Sequence, residues 1–524
     1  MRTARLRLSG LAPAGFLLLF LAYPLLLTLR AADASGWQWV LDDYARERIL
    51  GAAWQATLSV LLTLVIAVPL AWFHHVHRVP WRRGHLALHA MPFVLPVFVV
   101  IHAMRELFGP RGWVSGIVGT DLLAAWGPLG VVVVAHAYYN HGFAARILHS
   151  HLERRPVDLE QSARLLGATP TMAFLRVGLP LLAPAIGSVA LLVWMFCFTS
   201  FGVVLFLGDG LATPETLIYQ NLAGVLPRPE RAAVVGIVQL VLNGALLWAY
   251  FGLQKRHQHT APRTVPPISG PMAHALAWTV TVLGLLPILS ILVGSLRVRG
   301  EWTTAAWHAL LDASHPAHLS GFDLPRAMGL SVTYALLSAA LAVALAWSLA
   351  QALRGRRRWT EPLTALPLGV SSVLLGLGYM LAFGAGSWLD LRGEPGAIVL
   401  VHTLVAFPFV ARILIPALDQ HDGRLDDAAR LLGAPPADVR RRIHWPLLRP
   451  AVTTAAAFAA AISLGDFGAS LLLMRRDTMG LSVWIAEHDL PFDLLMHAQS
   501  LALTAILMGM VIMAFLVVER KEAA

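Results

Sequence analysis

Residues 158–170 read Asp-Leu-Glu-Gln-Ser-Ala-Arg-Leu-Leu-Gly-Ala-Thr-Pro, and residues 425–436 read Leu-Asp-Asp-Ala-Ala-Arg-Leu-Leu-Gly-Ala-Pro-Pro. The two stretches are copies in register, because an ungapped comparison of residues 145–186 with 411–452 gives 19 identities in 42 positions. In each copy, apolar residues at helical spacing predict a short amphipathic helix that ends at a glycine, Gly167 or Gly433. The apolar stripe consists of Leu159, Ala163 and Leu166 in the first copy and of Leu425, Ala429 and Leu432 in the second. Helices this short are not stable alone, so each needs a surface to pack against.

The duplication extends well beyond these loops. Seven residues of distinctive type recur 266 positions later, which leucine and alanine enrichment alone would not produce. The pairs are His136 with His402, Arg146 with Arg412, Gly167 with Gly433, Pro180 with Pro446, Pro184 with Pro450, Phe201 with Phe467 and Gly202 with Gly468. The chain is therefore a tandem repeat.

The composition places the chain in a membrane. Of its 524 residues, 57% are hydrophobic and only 13% are charged, whereas a soluble globular protein carries roughly 25% charged residues. Backbone in lipid must satisfy its own hydrogen bonds, which predicts an all-α polytopic membrane protein. Twelve apolar runs are long enough to be spans: 11–29, 54–73, 86–104, 126–144, 181–207, 232–253, 272–296, 328–350, 362–384, 397–410, 451–473 and 494–518.

Charge placement predicts the orientation. With both termini in the cytoplasm, the inner segments hold 27 of the 40 Lys and Arg residues, which is the bias that the positive-inside rule requires. The net charge of +10 is thus a topology signal, and it calls for no nucleic-acid partner. A cleaved signal peptide is the alternative for the first run, but that run is long for this role and has a repeat partner at 272–296.

Six spans in each copy return the chain to its starting side. The predicted domains are a first transmembrane half, residues 1–253, a proline-rich basic linker, residues 254–271, and a second transmembrane half, residues 272–524. Parallel repeats of this kind are expected to be related by a pseudo-two-fold axis along the membrane normal, which leaves room for a pathway between them.

The two loops also resemble a known motif, the EAA loop of ABC importer permeases: Glu-Ala-Ala, three residues, Gly, and later Leu-Pro. The matching positions are Gln161, Ser162, Ala163, Gly167 and Pro180 in the first copy, and Asp427, Ala428, Ala429, Gly433 and Pro446 in the second. The first copy departs from the motif at its opening two residues, and the second has Asp for Glu and Trp445 before the proline. An ordinary interfacial amphipathic helix is the alternative, but it requires no duplicated Gly and Pro pattern.

The resemblance implies a type I ABC importer permease fold and a bacterial inner-membrane location. It further implies that the loops seat in two copies of a cytoplasmic ATPase, and that an extracytoplasmic binding protein delivers the solute. Fusion of both halves resembles the permeases for thiamine and iron(III). Residues 135–146, 197–202 and 463–468 look like the thiamine type, whereas the second half after Gly468 is more similar to the iron type.

No energy source or metal site is visible in the chain. Its only lysines, Lys255 and Lys521, follow Gln254 and Arg520, so the Gly-Lys pair of a phosphate-binding loop is absent. We expect no cofactor in this chain, with ATP bound by the partner subunit, and no enzyme activity. The tightest histidine group, His74, His75 and His77, is interpreted as interfacial.

Asp466 is the only acidic residue placed within a span. With its repeat counterpart Ser200 and the adjacent Phe201 and Phe467, it is a candidate for the translocation pathway. We favour the alternative that its carboxylate caps a helix break between Gly465 and Gly468, because one acidic residue without a visible partner cannot select a solute.

Two other functions remain open from sequence. An ion-coupled secondary transporter would use Asp466 as its ion site and would be indifferent to ATP. A non-transporting membrane scaffold would bind a cytoplasmic protein on the two loops and show no flux.

Overall fold

The computed structural model describes residues 12–77, 79–154, 158–254, 270–312, 314–315, 321–352, 364, 366–384, 386–419, 425, 428–429, 431–489 and 493–522. Within these ranges the regular secondary structure is helical, apart from a two-stranded antiparallel ribbon, β1 Arg297–Val298 with β2 Glu301–Trp302, and loops and turns join the helices. The all-α prediction is thus confirmed.

The first half and the start of the second contain thirteen described helices in chain order. They are α1 Ala12–Ala31, α2 Ala34–Leu41, α3 Asp43–Val76, α4 Arg82–Val94, α5 Val97–Phe108, α6 Trp113–Val118, α7 Leu122–Arg154, α8 Asp158–Leu165, α9 Pro170–Phe198, α10 Gly202–Leu207, α11 Pro214–Ala223, α12 Pro229–Gln254 and α13 Pro271–Gly294.

The remaining helices belong to the second half. They are α14 Ala305–Leu311, α15 Leu324–Ala352, the 3₁₀ turn Leu366–Gly369, α16 Ser372–Ala382, α17 Pro395–Asp419, α18 Ala437–Gly465, α19 Gly468–Leu473, α20 Leu481–His488 and α21 Leu494–Glu522.

Ten of the described helices are long and apolar enough to cross a bilayer, and a bent pair at residues 82–118 raises that number to eleven. The prediction of twelve spans is corrected at the third and ninth. The third predicted span bends by 99° between α4 and α5–α6, and the ninth contains only the eleven-residue α16 within the described residues.

The third span of each half breaks in the same way. In the first half, extended Leu95 and Pro96 separate α4 from α5. In the second half, Ser371 is extended after the 3₁₀ turn, and its hydroxyl accepts a hydrogen bond from Leu374 N at 3.2 Å. A proline or an N-cap serine starts a new helix rather than continuing an old one, so these interruptions follow from local sequence.

One compact unit comprises residues 37–220 and 235–294. Its core is formed by α3, α7 and α9, where small side chains allow the helices to approach closely. The fully buried core alanines are Ala56, Ala67, Ala71, Ala144 and Ala145.

The other compact unit comprises residues 1–36, 221–234 and 295–524. Its core is formed by α15, α17 and α18, again with small residues at the contacts. Ala342, Ala346, Ala406, Ala455 and Ala459 are fully buried there, so the two repeats use the same helices and the same packing chemistry.

The compact units differ from the two sequence halves in their first membrane helices. Helix α1 packs with α16 of the second half, where Phe20 and Tyr23 each lie 6.0 Å from the ring of Phe383. Conversely, α13 packs on α4 and α5 of the first half, and Gly284 O accepts a hydrogen bond from Tyr138 Oη at 3.0 Å. Each unit is therefore completed by a helix from the other sequence half.

Candidate functional site

The first repeated loop (residues 158–180) forms a short helix closed by a glycine. Helix α8 ends at Leu165, and Gly167 follows in the left-handed region with φ +92°. Ala168 N donates to Ala163 O at 3.0 Å, which is the six-residue hydrogen bond of a Schellman cap. The prediction that Gly167 ends the helix is confirmed.

The second repeated loop (residues 425–446) repeats this cap. Gly433 has φ +79°, and Ala434 N donates to Ala429 O at 2.9 Å. Ala428 is exposed, whereas Ala429 is buried. Asp427 lies outside the described residues.

A second helix follows each glycine and continues into the fifth span. Thr169 caps its start in the first loop by accepting from Met172 N at 3.2 Å, and Pro170 occupies the first turn. Both copies then contain a wider π-helical turn at equivalent positions, Phe174–Gly178 and Arg440–His444. These turns precede Pro180 and Pro446, whose missing N–H groups interrupt regular α-helical bonding.

The tip of each loop exposes two adjacent leucines. Leu165 and Leu166 are 90% and 89% exposed, and Leu431 and Leu432 are both 88% exposed. Of the predicted apolar stripe, Leu159 is about half exposed as well. Sequence reasoning placed Leu166 and Leu432 on the stripe but overlooked Leu165 and Leu431. The repeated Arg-Leu-Leu-Gly string was the signal that would have identified them.

Gln161 and Ser162 are also exposed on the first loop, and Ala163 is half-buried. Pro180 and Pro446 both lie on the exposed side of the fifth span's first turns. Both loops therefore present apolar and small side chains away from the helical cores, as a docking surface requires.

The candidate pathway residues lie where the fifth span of each half is broken. Helices α9 and α10 are separated at residues 199–201, and α18 and α19 at 466–467. In both halves a hydroxyl from a later segment closes the break. Thr213 Oγ1 donates to Ser200 O at 2.7 Å, and Ser482 Oγ donates to Asp466 O at 3.0 Å.

The Asp466 carboxylate caps α19. Its Oδ2 accepts hydrogen bonds from Ser470 N at 3.3 Å and from Ser470 Oγ at 3.2 Å. His402 Nε2 lies 3.3 Å from the same oxygen, and His402 Nδ1 is 2.8 Å from Ser463 Oγ. The structure thus has the helix-break cap favoured from sequence. It also supplies the partner that sequence reasoning missed, although His402 was already marked by its repeat pairing.

The first half holds the same histidine with neutral partners. His136 Nδ1 lies 2.7 Å from Gln55 Nε2 and 3.3 Å from Ser59 Oγ. Phe201 is buried and packs edge-on against Tyr219 with 5.4 Å between ring centroids, and Phe467 is buried in the second half. The half-buried Ser200 accepts a hydrogen bond at the break through its backbone carbonyl. Its counterpart Asp466 accepts through both its backbone carbonyl and its side-chain carboxylate.

A polar cavity of about 290 Å³ adjoins the break of the first half. Tyr44, Glu47, Arg48 and Gln55 of α3 line one wall, and Gly210 and Thr213 line the other. The Arg48 guanidinium lies over the Tyr44 ring at 4.4 Å and donates to Gly210 O at 3.1 Å. Gln55 is buried, and its Oε1 has no hydrogen-bond partner in the described part of the chain. The cavity therefore has a buried amide acceptor at Gln55, and a carboxylate and a guanidinium at its rim.

The histidines near the end of α3 differ in burial. His74 is fully buried and its Nδ1 donates to Leu70 O at 3.0 Å. His75 and His77 are half-buried. Among the residues that the structure describes, no three His, Cys, Asp or Glu side chains are grouped to hold a metal ion.

Comparison with known proteins agrees with this arrangement. The family described as binding-protein-dependent transport system inner membrane component matches residues 44–259 and again residues 342–520. The thiamine transport system permease protein ThiP of Escherichia coli is 27% identical over 474 residues, covering 86% of this chain and 84% of that protein.

Other relatives align over a similar length. ThiP of Brucella abortus is 28% identical, covering 90% of this chain and 86% of that protein. A probable ABC transporter permease of Sinorhizobium fredii, y4fN, is 24% identical over 96% of this chain and 94% of its own length. Because the family model matches both repeats and most of the sequence, the chain belongs to the binding-protein-dependent transport system inner membrane components, a family of transport permeases rather than enzymes.

Proposed function

We propose that this chain is the transmembrane subunit of an ABC importer for thiamine, placed in the bacterial inner membrane with both termini in the cytoplasm. The observation that carries the proposal is the alignment of both fused repeats with thiamine transport permeases over 86–90% of the chain. Iron(III) is the second candidate from sequence, and the similarity to the two ThiP proteins favours thiamine over it.

The two repeated loops are the proposed contacts with a separate ATPase present in two copies. Each loop is a short capped helix with an exposed Leu-Leu tip, and a partner would cover this apolar surface. One ATPase subunit on each loop would match the duplication. ATP would bind to those subunits, and the permease itself would require no cofactor.

A small polar cavity supports a pathway near the break of the first half. Thiamine is a cation with amine N–H donors, and Gln55 Oε1 and Glu47 offer an acceptor and a negative charge, while Arg48 covers the Tyr44 ring. In this proposal an extracytoplasmic binding protein delivers the solute, and alternating access passes it inward. Asp466 would support the pathway by holding α19 in place.

The decisive experiment is uptake by proteoliposomes that contain this chain, its ATPase and its binding protein. We expect radiolabelled thiamine to accumulate only with ATP and the binding protein, and a protonophore to have no effect. Uptake that a protonophore abolishes and that ATP does not stimulate would favour the secondary transporter.

Two further outcomes separate the remaining alternatives. A stable complex with the ATPase but no flux of any solute would favour the scaffold. Iron(III) uptake without thiamine uptake would retain the importer and overturn the assigned solute.

A further inference from the structure

A large apolar cavity of about 680 Å³ lies within the compact unit of residues 37–220 and 235–294. Its walls come from α3, α5, α7 and α13, with contributions from α4 and α6, and nearly all of its lining is hydrocarbon. This volume falls within the roughly 300–1,000 Å³ of small-molecule sites. A molecule bound there would make dispersion contacts with this lining and so stabilise the unit.

The mouth of the cavity opens to lipid rather than to water. Four lining residues, Ile66 on α3 and Leu276, Val280 and Leu283 on α13, are 37–61% exposed. All four belong to helices with the length and apolarity of membrane spans. A molecule that enters between them must therefore come from the hydrocarbon layer.

Two buried histidines line the cavity and leave ring nitrogens without partners. His74 and His89 are 1% and 4% exposed, and their ring centroids lie 6.5 Å apart. His74 Nδ1 donates to Leu70 O, so Nε2 of the neutral ring is an acceptor, and it has no partner in the described part of the chain. His89 Nδ1 is also unpartnered there, whereas its Nε2 lies 3.3 Å from Thr281 Oγ1.

His74 lies two residues before Val76, the last residue of the membrane-length helix α3. His89 is seven residues from Arg82, the first residue of α4, which corresponds to a rise of about 10 Å. Arg82 pairs with Glu153 at 2.7 Å, whereas Arg83, the next residue of the same helix, is exposed. An exposed guanidinium thus precedes an acceptor nitrogen and an apolar cavity along α4, and this order matches the phosphate, donor group and acyl chain of a phospholipid.

We propose that the cavity binds one phospholipid, with an acyl chain in the apolar part and a head-group N–H or O–H donor at His74 Nε2. Phosphatidylethanolamine and phosphatidylglycerol carry such donors. Phosphatidylcholine has none, so it should fill the apolar part without satisfying His74. The lipid would join α13 to the helices of the first half.

The test is native mass spectrometry of the full chain, delipidated in detergent and titrated with these three lipids at matched acyl chains. We expect one molecule of the ethanolamine or glycerol lipid to bind at least about fivefold more tightly than the choline lipid. His74→Phe should abolish this preference, whereas His75→Phe, next in the chain but outside the cavity lining, should retain it.

A second pair of variants tests the apolar part. Leu283→Trp at the mouth should lower binding of all three lipids at least about tenfold, whereas Leu289→Trp on the same helix should not, because Leu289 is similarly exposed but does not line the cavity. Both positions are solvent- or lipid-facing, so both variants should fold.

Either of two results would overturn the site. One is equal binding of the three lipids that neither His74→Phe nor Leu283→Trp changes. The other is an electron cryomicroscopy map with only a water molecule between His74 and His89 and no chain-shaped density in the cavity. None of these measurements involves transport, so the lipid site can be refuted without refuting the proposed function, and the reverse also holds.

Discussion

His402 Nε2 lies 3.3 Å from Oδ2 of Asp466, and both side chains are almost fully buried. The sequence repeat pairs these two residues with His136 and Ser200 of the first half. There the histidine is held by Gln55, and the residue that corresponds to Asp466 is Ser200. The two halves thus share one broken fifth span but stabilise it with different chemistry, which makes the acidic copy the more sensitive to substitution.

Asp466→Ala should lower the free energy of unfolding by about 2 kcal/mol, because α19 loses its N-terminal acceptor and His402 loses a buried partner. Asp466→Asn keeps an acceptor oxygen and should cost less than half as much. Thermal unfolding in detergent measures both. Ser200→Ala is the matched control and should change stability by less than about 0.5 kcal/mol, since Ser200 contributes its backbone carbonyl to the break. Equal unfolding of Asp466→Ala and the wild type would contradict the capping role.

Thr213→Val should destabilise the chain by about 1–3 kcal/mol, because the near-isosteric side chain leaves Ser200 O without its donor. Ser482→Ala should act similarly on Asp466 O. Thr403→Val serves as the control, since Thr403 Oγ1 donates to Val399 O, a carbonyl within a regular helix. If all three variants have the same free energy of unfolding, the hydroxyls of Thr213 and Ser482 do not stabilise the breaks in the fifth spans.

Replacing the leucine pair at a loop tip should weaken binding of the ATPase without lowering the stability of the permease. Leu165→Ser with Leu166→Ser, or Leu431→Ser with Leu432→Ser, removes side chains that contact little of the chain, so stability should change by less than about 0.5 kcal/mol. Copurification of the ATPase and ATP-driven uptake should both fall at least about tenfold. Leu226→Ser, exposed in a different loop, should leave both unchanged. Undiminished copurification of either double variant would count against the proposed docking surface.

Gly167→Val and Gly433→Val should distort the loops without creating a clash. A Cβ at either glycine meets nothing within 4 Å, so the cost comes from the left-handed backbone and amounts to about 1–2 kcal/mol. Asparagine tolerates this conformation and should act as a near-neutral control. We expect ATPase capture to weaken for both valine variants, and more for Gly433→Val because Ala428 and Ala429 keep the family pattern. Valine and asparagine variants that capture the ATPase equally well would show that the cap geometry is unimportant.

Gly142→Ala should prevent stable folding. A Cβ on Gly142 would collide with the backbone of His89 and Ala90, where α7 crosses α4. We expect a loss of at least about 3 kcal/mol, seen as a low yield of monodisperse protein in size-exclusion chromatography. Gly51→Ala in α3 is the control, because its Cβ would meet nothing within 4 Å and alanine favours a helix. Similar yields of both variants would refute the close crossing.

Local features of the chain were readable from sequence because they depend on nearby residues. Hydropathy gave the all-α membrane class and most of the spans, and the charge bias gave a prediction of orientation. Glycine after a short amphipathic run gave the caps at Gly167 and Gly433, which the backbone torsions confirm. The 266-residue repeat gave the equivalence of Ser200 with Asp466. Asp466 as a cap was predictable too, since an acidic residue between two glycines suits a helix start.

Long-range packing decided what the sequence could not. No local pattern shows that α1 packs on α16 or that α13 packs on α4 and α5, because the hydropathy of an apolar helix does not specify which helix it packs against. The contact of His402 with Asp466 joins two residues that are 64 positions apart in the chain. The cavity beside His74 and His89 forms only where six helices come together in the tertiary structure. Hydropathy and the backbone preference of glycine depend on neighbouring residues, so the sequence alone shows them. The fit between two distant surfaces depends on the shape of both, so only the tertiary structure determines it.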